Sequence, residues 1–188
     1  RLQCFIVQVL YEGKHFRDMI EPHSILTQAF KSMPPVADNK VVSYKWGDEF
    51  HLNKLIKLYQ NNRDNIYPLI YNVSNHYNLD TLRKRIDYTP LSLVIATRNN
   101  HTDWHNGNRW ATSYKDVLFP VVNNIMQLLK KSGVFIWDGE FILYEFPNYS
   151  NKDENATTDI WDAVRLDISR ITITDRCLQP ILYEAIGS

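Results

Sequence analysis

Cysteine is almost missing from this chain: Cys4 and Cys177 are the only two in 188 residues. Two widely separated cysteines make no disulfide framework, so they read as buried free thiols suited to a reducing compartment. Glycine is scarce too, with six residues. Neither a Gly-x-x-x-x-Gly-Lys-Ser/Thr nor a Gly-x-Gly-x-x-Gly run occurs, which removes the usual loops that cradle phosphates. A Gly-x-Ser-x-Gly nucleophile elbow is also lacking. An excess of charge of one sign is absent, because Lys plus Arg and Asp plus Glu are 21 each. A free-standing nucleic-acid binder carries a basic excess to displace counterions from phosphates, and this balance argues against DNA or RNA as the main partner. Long hydrophobic runs are missing as well. Cys4 to Tyr11, broken by Gln8, is far short of the roughly 20 residues that cross a bilayer, and no small-residue cleavage site follows it.

What remains is the composition of a globular protein, 44% hydrophobic and 22% charged. A chain of this length buries roughly 70% of its unfolded surface without help from metals or disulfides. The expectation is one domain over residues 1–188, with residues 1–20 as an extension or an edge strand.

Leu2 to Tyr11 reads as a buried strand, with a short helix as the alternative. Pro22, Ile25, Leu26, Ala29 and Phe30 outline a short amphipathic helix that Pro34-Pro35 stops. Val41 to Trp46 reads as a strand with Gly47-Asp48 as its turn. Leu52, Leu55, Ile56 and Tyr59 then have the spacing of a helical stripe. Asn61 to Asn65 is a polar turn. Tyr67 to Val73, entered through Pro68, suits an edge strand or a first-residue proline. Leu91 to Thr97 is apolar on nearly both faces and belongs in the middle of a sheet. The basic cluster Arg83, Lys84 and Arg85 between them reads as a solvated turn.

The best-specified helix spans Ser113 to Ser132. Ser113 and Asp116 form an acidic capping box, Lys130 and Lys131 suit the negative end of the helix dipole, and Gly133 supplies the stop. Pro120 lies too deep for a first turn, so it either kinks the helix or marks its true start. Val134–Trp137 and Glu140–Phe146 flank Asp138-Gly139, a hairpin signal. Asn148 to Asn155 is a polar loop. In Ile160 to Ile173 the apolar parity switches between Ile168 and Ile171, which requires a bulge or bend inside the strand. The pattern predicts an α+β fold: a twisted, mostly antiparallel sheet packed against one long helix and one or two short helices.

Chemistry is hard to place on this frame. His101, Asp103 and His105 would suit a metal on a helix, but Asn99-Asn100 and Asn106-Gly107 around them mark a polar loop. Asp138, Glu140 and Glu145 resemble the acidic set of a metal-dependent nuclease. That site needs a lysine two residues after its second acid, and here Phe146 and Pro147 follow Glu145. Carboxylates on a strand edge also keep it soluble. Cys4 and Cys177 sit in apolar or strand-end settings that raise a thiol pKa. The expectation is therefore no catalytic centre, no cofactor and no metal. Aromatic and amide residues, by contrast, are plentiful in the turns. Trp104, Arg109, Trp110 and Tyr149 are of the types that anchor protein interfaces, although large aromatics also pack on a domain's own core.

Ser113-Tyr-Lys-Asp-Val-Leu-Phe-Pro-Val-Val-Asn-Asn-Ile-Met-Gln-Leu-Leu-Lys-Lys-Ser-Gly133 resembles the long helix of tailed-bacteriophage tail-terminator and head–tail neck (ring) proteins. Tyr67-Pro-Leu-Ile70 is similar to a strand opening in that group, and Asp159 to Ile168 with Asp175-Arg-Cys177 to its closing strand. The likeness runs from Ser24 to Gln179 and rests on order and spacing. It implies a structural virion subunit, assembled in the host cytoplasm into a homo-oligomeric ring at the neck or tail end. Its neighbours would be portal, neck or tail-tube proteins, and DNA would pass through the lumen without sequence recognition. No membrane is involved in this reading. The alternatives are a small metal-dependent nuclease using His101, Asp103 and His105, and a monomeric binding module displaying Trp104 and Trp110.

Overall fold

The computed structural model describes residues 22–58, 66–74, 76–80, 82–83, 85–99, 110–146 and 160–174. The expected strand at Leu2–Tyr11, the turn at Asn61–Asn65, the loop at Asn148–Asn155 and both cysteines lie outside them. The fold is mixed α+β with mostly antiparallel sheets and one long helix, as the hydrophobic pattern predicts.

Helix α1 (Pro22–Lys31) buries Pro22, Ile25, Leu26, Ala29 and Phe30, the full stripe read from the sequence. Strand β1 (Ser43–Trp46) follows, then α2 (Glu49–Leu58), whose Leu52 is fully buried. The remaining strands are β2 (Leu69–Asn72), β3 (Asn78–Asp80), β4 (Arg85–Tyr88), β5 (Leu91–Asn99), β6 (Phe135–Trp137), β7 (Phe141–Phe146), β8 (Ile160–Ile168) and β9 (Ile171–Thr174). They form a five-stranded sheet in the order β1-β2-β5-β8-β7 and a four-stranded sheet in the order β3-β4-β9-β6.

The pairing register shows that these two sheets are halves of one bent sheet. Arg85↔Thr174 to Tyr88↔Ile171 continues in step into Leu91↔Ile168 to Asn99↔Ile160. Likewise, β3–β4 keeps the register of β2–β5. On the outer side three residues, Asp138 to Glu140, stand opposite two, Ser169 and Arg170, which is a one-residue bulge. The parity switch between Ile168 and Ile171 falls at this corner.

Asp138-Gly139 therefore makes no hairpin. β6 pairs with β9 and β7 with β8, so the chain turns a corner and runs on. Gly139 takes φ +94°, and the Asp138 carboxylate accepts the Glu140 N–H at 3.0 Å. An Asp-Gly pair supplies these same local elements in a tight turn. What differs here is the partner strand, which arrives from far along the chain.

Pro68 does not mark an edge. β2 lies between β1 and β5, and Pro68 stands just ahead of its first residue with its carbonyl accepting the Ser43 N–H at 2.9 Å. β5 is central, and Leu91 to Thr97 are all buried.

The long helix starts earlier than a Ser113 cap allows. π-helical turns over Trp110–Leu118 run directly into α3 (Phe119–Lys131), and Ser113 is a buried residue within them. Pro120 sits at the junction. Its ring, in regular α geometry, would crowd the Asp116 carbonyl, and the wider turns ahead of it avoid that contact. Gly133, at φ +67°, ends the helix as expected.

The core lies on both faces of the sheet. On one, Leu91, Leu93, Ile95, Val164, Leu166 and Ile168 meet α1 and the long helix through Leu26, Phe30, Val121 and Ile125. On the other, Leu69, Tyr71, Val94, Ala96, Trp161 and Ala163 pack under α2 through Leu52. Burial of each such side chain contributes roughly 1.5–3 kcal/mol.

Candidate functional site

Trp104, Arg109 and Tyr149, and the set His101, Asp103 and His105, lie outside the described residues. Trp110 is described and exposed. It stacks on Tyr114, with ring centroids 5.0 Å apart, and meets Phe119 edge-on at 5.4 Å. Its indole is thus held by the protein's own helix while about half of the residue stays exposed.

The basic cluster is partly neutralised. Arg83 is exposed at the turn between β3 and β4, whereas Arg85 lies on β4 with its guanidinium Nε 3.7 Å from Asp80 and 3.4 Å from Asp87. Asp138, Glu140 and Glu145 are all exposed. Among the described residues no group of three or more His, Cys, Asp or Glu is placed to hold a metal ion. No described helix is long and apolar enough to cross a membrane.

The structure adds a surface that the sequence reading did not single out. Strand β7, Phe-Ile-Leu-Tyr-Glu-Phe, ends the five-stranded sheet and has no described strand beyond it. Ile136, Phe141, Ile142, Tyr144 and Phe146 have relative exposures of 36–61%. Side chains alternate along a strand, so Ile142, Tyr144 and Phe146 emerge on the α2 side and Phe141, Leu143 and Glu145 on the side of the long helix. Both faces of this edge are therefore apolar and wet. A single acid, Glu145, interrupts the strand, which is weak protection for an edge strand. Behind it, Arg165 is fixed by Asp167 at 2.9 Å and reaches Glu49 of α2 at 3.7 Å.

The opposite end of the same sheet is β1. Trp46 is exposed there, stacked on His23 at 4.6 Å, and Val41 and Phe50 are exposed nearby. Tyr44 is buried beneath α1, within 3.3 Å of both His23 Nδ1 and Asn72 Nδ2. The Asn72 side-chain oxygen Oδ1 accepts the Ser74 N–H at 2.9 Å. This polar chain fastens α1 and β1 to the start of the sheet's bend.

A sequence signal for the β7 surface does exist. A run with almost no polar alternation reads as a strand buried on both sides, and in an edge position it calls for a partner. No known family model matches the sequence, and no curated protein or solved structure is significantly similar to it.

Proposed function

We propose that this protein is a structural subunit that assembles with copies of itself into a ring, at the neck or tail end of a tailed bacteriophage. The observation that carries the reading is the β7 strand, the last of the five-stranded sheet among the described residues, with apolar side chains exposed on both of its faces. Such a surface is a hazard in a monomer and a joint in an assembly. The resemblance of the Ser113–Gly133 helix and its flanking strands to neck and tail-terminator proteins supplies the setting. Identical subunits close a ring through head-to-tail contacts between two different surfaces, and the balanced charge keeps such subunits from repelling one another. DNA would occupy the lumen without being read, and the subunit's neighbours would be other neck or tail proteins.

Multi-angle light scattering over a range of concentrations, with negative-stain imaging, tests this. Closed rings of one copy number are the expected result. A single-chain species at every concentration overturns self-assembly and favours a binding module, for which the exposure of Trp110 is the specific observation.

A further inference from the structure

We draw no further inference here: the strongest candidate, the apolar face of β7 on the α2 side, where Ile142 and Tyr144 stand exposed beside Asp167 and Arg165 of β8, carries nothing beyond the reading already proposed, because nothing in the structure shows what covers it.

Discussion

The Ser74 hydroxyl accepts the Ser92 N–H at 2.7 Å and donates to the Pro90 carbonyl at 3.3 Å. These bonds lie at the corner where β2 and β5 give way to β3 and β4. A regular strand would satisfy the Ser92 N–H with a backbone carbonyl, but the bend carries the neighbouring chain out of line. Ser92 is buried, so its amide has no ready substitute. Ser74→Ala should cost about 1–3 kcal/mol, the penalty for a buried donor left unsatisfied. Urea denaturation measures it. Ser74→Thr keeps the hydroxyl and should retain most of the stability, and equal losses in both variants would show that the hydroxyl is not what matters.

Gly47 follows β1 at φ +150°, and a Cβ there would run into the hydroxyl of Tyr71, which packs across the turn. Two costs therefore combine in Gly47→Ala, an unfavourable backbone conformation and a steric overlap. Together they should amount to about 1–3 kcal/mol. Tyr71→Phe removes the overlap and leaves the backbone cost. The double variant should lose less than the sum of the two single ones, and strict additivity in urea midpoints would contradict the contact.

Asp48 caps α2. Its carboxylate accepts the His51 backbone N–H and lies against the His51 ring, both at 2.7 Å. The first of these holds the carboxyl below its ordinary value of 3.8, opposed by desolvation and helped by the His51 ring's hydrogen bond and charge. A depressed folded-state pKa means that the cap stabilises α2 at pH values above 3.8 and is lost as acidification passes through the folded value. Helicity of α2, read by circular dichroism, should fall over that acidic range and recover on neutralisation. Asp48→Asn keeps a capping oxygen but has no carboxyl to protonate, so this component of the titration should disappear.

The sequence was legible where one local pattern has one physical meaning. Ile25, Leu26, Ala29 and Phe30 form a stripe only on a helix, and Leu91 to Thr97 is apolar on both faces because it sits at the centre of the sheet. It was ambiguous where one local pattern serves two global ends. Asp138-Gly139 has the residues of a hairpin, yet its strands are claimed by β8 and β9, some thirty residues further on. Ser113 has the chemistry of a cap, but the aromatic contacts of Trp110 with Tyr114 and Phe119 begin the helical turns before it. The β7 surface was hidden for a related reason. An apolar strand looks the same in sequence whether its cover is its own chain or another copy, and only the strand order distinguishes them.

That distinction has a measurable consequence for stability. Leu166 is fully buried between the β5 and β7 partners Leu93 and Leu143, so Leu166→Ala should cost about 2–5 kcal/mol through lost burial and the cavity left behind. Ile142 and Tyr144 are of comparable apolar size but project from the outermost strand into water. Ile142→Lys and Tyr144→Lys should shift the urea midpoint of the single-chain species by no more than about 0.5 kcal/mol, as surface substitutions do. If these residues serve contacts between copies, both variants fold like the parent and fail to assemble like it. A loss of several kcal/mol in the single-chain species would instead make β7 part of the protein's own core.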